Sequence, residues 1–182
     1  MSTTATRRWF GDRFSELHPQ LQHLHSHGGR LLGEVTITYG HGLAGVLGRR
    51  LAKKMRFPGP GAHRLEVTIA HQDAALLWSR SFDGQAPLTS HFAPVGCLAE
   101  GGHWVESTGP LSLLLTVDVI DGGWFWRCLG IRLWGLPLPR ALLPRTDAYK
   151  RIEAGRYRFH VAFSLPLLGP LVTYEGLLEA AG

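Results

Sequence analysis

From residue 63 onward, apolar and polar positions alternate with a period of two. "HRLEVTIAH" alternates without interruption, "ALLWSRSF" follows, and "YRFHVAFS" and "LVTYEGLL" repeat the pattern near the C-terminus. Asp83-Gly84, Gly101-Gly102 and Asp121-Gly122 separate such stretches and are hairpin turn signals. The spacing of these signals predicts an antiparallel meander of roughly nine to eleven strands. Its short connections argue against parallel pairing, which needs long crossovers. Upstream, "LLGEVTITYG" reads as another strand, with Val35, Ile37 and Tyr39 on one face.

Helical periodicity is confined to the first third. Over residues 8 to 27, Phe10, Phe14 and Leu17 recur at i, i+4, i+7, Pro19 opens a second piece with Leu21 and Leu24, and Gly28-Gly29 ends it. Residues 42 to 56 form an amphipathic helix with a stripe of Leu43, Val46, Leu47, Leu51 and Met55. So few helices cannot cover both faces of so large a sheet. A coiled antiparallel sheet covers itself by curling. The pattern therefore predicts one α+β domain over residues 1–182: a large curled antiparallel sheet forming an incomplete β-barrel, with two N-terminal helical segments against its open side.

One strand differs from the rest. In "WFWRCLGIRLW", strict alternation puts Trp124, Trp126, Cys128, Gly130, Arg132 and Trp134 on one face, yet both faces are largely apolar. Either the strand is buried on both sides or it is the wall of a pocket, and Gly130 leaves a gap among large rings. Next comes "WGLPLPRALLPR", residues 134 to 145, where Pro137, Pro139 and Pro144 forbid regular structure. We read it as a stiff apolar pocket rim. Arg140 would meet the polar end of a ligand there, and Arg132 on the Trp face could do the same by bidentate pairing. Tyr174, in the last strand, completes the expected lining with Trp124, Trp126 and Trp134. The opposing reading gives each arginine a protein acceptor instead.

Composition narrows the chemistry. There is no apolar run near the ~20 residues of a membrane span and no secretory signal core, so a cytoplasmic location is expected. Cys97 and Cys128 are expected to be reduced and buried. The net charge is +5, with arginines spread along the chain and one compact basic cluster, "GRRLAKKMR", residues 48 to 56. That helix reads as an ordinary surface helix or as one meeting an anionic membrane surface. Nucleic acid is not expected, because no recognition motif accompanies the charge. "HLHSHGG" carries His23, His25 and His27 without a metal-site motif, and no metal is expected. No nucleophile-elbow or Walker sequence occurs. Acid–base chemistry needs only a carboxylate or histidine in a dry pocket. Glu34, Glu106, Asp118 and Glu175 lie in apolar strands, and Glu106 and His25 are the candidate catalytic groups, against the alternative that such carboxylates face outward.

The segments "GIRLWGLPLPRALLP" and "GRYRFHVAFSLPLLGPLVTYEGLL" resemble a bacterial family, domain of unknown function 4166. "LHSHGG", "LLGEVTITYGHGLAG" and "VESTGPLSL" fit in order, so the resemblance covers most of the chain. Members of that family occur alone or joined to the C-terminus of saccharopine-dehydrogenase-like reductases. The resemblance implies no established activity and no catalytic residues, although Glu106 matches the family pattern. No dinucleotide-binding glycine motif follows an early strand here, so hydride chemistry would need a separate reductase partner and no cofactor is expected. The function expected is binding of a hydrophobic or amphiphilic small molecule, lipid-like or polyketide-like. The alternative is a cofactor-independent cyclase, isomerase or lyase in the same pocket.

Overall fold

The computed structural model describes residues 4–54, 57–72, 74–108, 111–139, 145–166 and 168–181. The chain begins with α1 (Ala5–Phe10), a 3-10 turn (Gly11–Glu16) and α2 (Pro19–His27), then β1 (Gly29–Tyr39) and α3 (Gly42–Lys54). The strands β2 (Gly61–Gln72), β3 (Ala75–Phe82), β4 (Leu88–Val95), β5 (His103–Thr108), β6 (Leu111–Ile120) and β7 (Gly123–Leu133) follow. The two-residue β8 (Leu136–Pro137), then β9 (Arg145–Glu153), β10 (Arg156–Leu165) and β11 (Gly169–Ala181) complete the order.

The sheet runs β6-β5-β4-β3-β2-β1-β11-β10-β9-β7-β8, and β7 also pairs with β6. Ten strands thus form a closed ring, and the expected incomplete barrel is corrected to a closed one. Closure rests on a short seam, Trp124↔Lys150, Phe125↔Tyr149 and Trp126↔Ala148. It removes the free edges that an open sheet would leave. Sequence-local turn signals report hairpin neighbours, not this pairing of β7 with β9.

Alternate connections fall at opposite ends of such a ring. The N-terminal segment closes one end. Thr4 caps α1 by accepting from Arg7 N at 3.3 Å, and His18 Nδ1 caps α2 by accepting from Gln20 N at 3.2 Å, ahead of Pro19. Their apolar face, with Trp9, Phe10, Phe14, Leu17 and Leu21, is buried. Each such side chain contributes about 1.5–3 kcal/mol by leaving water. The Trp9 ring lies 5.5 Å from Trp104, Phe10 lies 4.7 Å from Trp124, and His18 N donates to Gly122 O at 2.9 Å in the β6–β7 turn.

α3 lies at the other end, the mouth, together with the connections β7–β9 and β10–β11. It rests on β11 through small residues: a Cβ on Gly48 would lie 2.2 Å from Leu171 O. Ala44 and Ala52 are buried beside it. This contact turns Leu43, Val46 and Leu47 of the expected apolar stripe away from the sheet, while Met55 and the Leu51 side chain lie outside what the structure describes. Leu43 is 76% exposed, and Val46 and Leu47 are also exposed. Among the described residues no helix is long and apolar enough to cross a membrane.

Candidate functional site

The barrel encloses an apolar cavity of about 240 Å³. Inward positions of successive strands build its wall. On β3, Trp78 and Arg80 point inward, and Phe92 on β4, Leu113 and Leu115 on β6, Trp126 on β7 and Tyr174 on β11 surround them. Phe57, just after α3, reaches in from the mouth, its ring 5.0 Å from that of Tyr174.

A polar cluster interrupts this wall, in which Thr146 on β9 is a further polar residue. Arg80 Nη1 donates to Tyr174 Oη at 3.2 Å, and Arg80 Nη2 donates to Ser90 Oγ. Ser90 Oγ is 3.1 Å from Thr108 Oγ1. Glu106 Oε1 stands 3.9 Å from Arg80 Nη2, an ion pair without a direct hydrogen bond. Arg80 Nε is buried and has no partner among the described residues. Burial opposes the guanidinium charge, but Tyr174 and Glu106 outweigh it and hold the Arg80 pKa above its ordinary value. Burial raises the Tyr174 phenol, with Arg80 opposing in part. The cluster is therefore a fixed cation with a donor to spare, set in apolar walls.

A smaller space of about 40 Å³ adjoins the first and shares Trp78, Arg80, Trp126, Ala148, Val161 and Tyr174 with it. Lys150 from β9 lines this space and is 1% exposed. Its Nζ lies 3.6 Å from the centre of the Trp124 ring, 4.2 Å from Trp78 and 5.5 Å from Trp126. No acceptor pairs with it among the described residues. Burial pushes the Lys150 amine well below its usual pKa. Beneath it, His25 of α2 is fully buried, its ring 4.7 Å from Trp124, with neither ring nitrogen partnered. Burial, then Lys150 and His71, lower the His25 pKa well below its ordinary value.

The family described as a domain of unknown function (DUF4166) matches residues 17–178, from α2 into β11. The chain belongs to this family. The DUF4166 match takes in every residue of both spaces described above. No curated protein matches the chain.

Within this DUF4166 domain, the residues singled out from sequence fall in three places. Glu106, Trp126 and Tyr174 line the main cavity. His25 and Trp124 lie under it, at the closed end, and Trp124 packs against Phe10 and His25 rather than lining the cavity. Arg132 and Trp134 do not share the inward face with Trp126. The β6–β7 register slips between Leu114 and Leu115, because Leu114 pairs with Gly130 and Leu115 with Cys128. Leu129 is thus an extra residue, and a one-residue bulge exchanges the faces of everything beyond it. Ile131 turns inward in place of Arg132, which is exposed. Trp134 leaves the strand altogether: it sits at φ 50° in a two-residue turn with Gly135 and is 77% exposed. Gly130 has open space at its missing Cβ, so nothing approaches it closely. Arg140 lies outside the described residues. Of the Pro-rich rim, Leu138 reaches the cavity while Leu136 is 72% exposed.

No hydrogen bond or ion pair joins His25 to Glu106 among the described residues; one belongs to the closed end and the other to the Arg80 cluster. Cys97 and Cys128 are free and half-buried. The rings of His23 and His27 lie 4.5 Å apart on α2, tilted by 32°, and among the described residues no three His, Cys, Asp or Glu side chains gather in a metal-binding group. Sequence reasoning missed Arg80 and Lys150. Both carried a signal: Arg80 shares strand parity with Leu76, Trp78 and Phe82, and Lys150 shares it with Ala148 and Ile152. A cation on the apolar side of a strand marks an interior charge.

Proposed function

We propose that this barrel binds a hydrophobic or amphiphilic small molecule, with the apolar part among Trp126, Leu113 and Leu115 and an acceptor group on Arg80. The observation that carries this reading is the unfilled apolar cavity of about 240 Å³ with the Arg80 guanidinium held at its wall. Small barrels are normally filled by their own side chains. An apolar space of this volume left empty forgoes packing worth on the order of 5 kcal/mol, a large part of a domain's stability. Together with the adjoining chamber, the space approaches the lower end of the ~300–1,000 Å³ typical of small-molecule sites.

The mouth supports an anionic membrane surface as the place where such a ligand is exchanged. Exposed Leu43, Val46 and Leu47 lie on α3, and Trp134, Leu136 and Leu168 lie on connections at the same end. Exposed Arg49, Arg50 and Lys53 accompany them. Apolar side chains flanked by cations suit anionic headgroups above an acyl layer.

Titration with decanoic acid, followed by Trp emission, tests the cavity. We expect saturable binding of one molecule per chain, lost in Ala148→Phe, which fills the junction of the two spaces while the fold persists. Flat emission in the wild type, or equal binding by the filled variant, overturns the reading.

A further inference from the structure

We propose that Lys150 is a covalent ligand site, at which its side-chain amine condenses with a hydrophobic aldehyde whose chain occupies the barrel cavity. This rests on the cavity reading above and adds a ligand class to it.

The chain has three lysines and sixteen arginines. Lys53 and Lys54 belong to α3; Lys150 alone lies in the barrel, on a face that β9 otherwise gives to Thr146, Ala148 and Ile152. Arg80, the other interior cation, is held by Tyr174, Ser90 and Glu106. Lys150 is held by nothing of the kind: its Nζ is buried and faces three indole rings and the small chamber. Among the described residues it therefore makes no ion pair. Rings stabilise an ammonium through their faces, but they accept no ordinary hydrogen bond in place of water. Burial holds the amine well below its usual pKa, which leaves the nitrogen lone pair available. Six residues line both spaces, so a ligand lying in the larger one needs only side-chain movement at that common wall to bring its head to this nitrogen.

The condensation needs no oxidant or metal. The amine nitrogen bonds to the carbonyl carbon, and one N–H proton passes to the carbonyl oxygen to give a carbinolamine. The carbon–oxygen bond then breaks, the hydroxyl leaves as water with the second N–H proton, and a C=N bond remains. His25 lies on the closed-end side, its ring 4.7 Å from the Trp124 ring that Lys150 Nζ faces.

The test is incubation of the wild-type protein with decanal at neutral pH in the presence of cyanoborohydride, followed by intact mass and peptide mapping. Decanol binding, read by Trp emission, runs beside it. We expect one adduct, with a mass gain equal to the aldehyde less one oxygen, on Lys150. It should form at least about tenfold faster than any adduct on Lys53 or Lys54, as an activated amine requires. Lys150→Met should lose this adduct and still bind decanol. Saturable decanol binding with Lys150 unlabelled overturns this proposal and leaves the cavity reading standing. Absence of both overturns both, and labelling of Lys150 without decanol binding also overturns the proposal, because the aldehyde chain then has no site in the cavity. Mapping on the wild type decides the matter even if the variant does not fold.

Discussion

The Nζ of Lys150 stands 3.6 Å from the centre of the Trp124 ring, between α2 and the cavity, with no protein oxygen paired to it among the described residues. An amine in that position costs the fold stability, because the unfolded chain hydrates it and the barrel does not.

Replacing Lys150 by Met, of similar length and without charge, should therefore raise stability by about 1–2 kcal/mol at neutral pH. The gain should shrink as pH rises. Unfolded, the amine keeps its proton to about pH 10.4; folded, burial removes it at lower pH. Over the interval the unfolded state holds the extra proton, so wild-type stability rises with pH relative to Lys150→Met. Urea unfolding of both proteins at a series of pH values measures this. A destabilised variant would make Lys150 a structural cation.

His25 acts in the opposite pH range. Its folded pKa lies well below the ordinary value through burial, then Lys150 and His71. Below about pH 6.5 the unfolded chain takes up a proton that the folded ring refuses, so stability falls as pH drops, by up to about 1.4 kcal/mol per pH unit. His25→Phe should remove that slope while keeping an aromatic ring against Trp124. Thermal unfolding of wild type and variant at pH 7 and pH 5 compares them, and parallel losses would show that other groups dominate.

Arg80 should decide the head-group preference. Arg80→Met should weaken decanoate binding by about 10- to 100-fold, the value of a charge-assisted hydrogen bond, and change decanol binding by only a few-fold. Trp-emission titrations with both ligands read the difference. Equal losses would mean that Arg80 shapes the cavity rather than contacting the ligand.

At the mouth, Leu43→Glu with Leu47→Glu should reduce sedimentation with vesicles containing phosphatidylserine at least about fivefold, since each change replaces apolar contact by like-charge repulsion. Decanoic acid binding in solution should be unaltered. Unchanged sedimentation would remove the membrane surface as partner.

The strand pattern and the helix breaks at Pro19 and Gly28 were legible in the sequence because they are local. The Asp121-Gly122 turn, with φ 48° and 75°, was too. Trp134-Gly135 and Ala154-Gly155 adopt the same left-handed geometry, yet Trp and Ala seldom announce it. The Leu129 bulge was invisible, since alternation counted through it looks regular on both sides. That one residue explains why Trp126 was placed correctly and Arg132 was not. Closure depends on β7 meeting β9, a pairing with no local signal. Tyr174 and Glu106 were found as isolated candidates; the arginine that joins them lies 94 residues from Tyr174 along the chain.

The closed end also constrains the order of events during synthesis. Trp9 and Phe10 leave the ribosome well before their partners Trp104 and Trp124 are made. The first full strand, β1, must wait for β11 before its second ladder can form. Contacts so distant along the chain make folding slow, and until they form the nascent protein displays a cluster of aromatic rings. The segment that seals the barrel is thus born without a binding surface, and chaperone protection during translation should matter most for this segment.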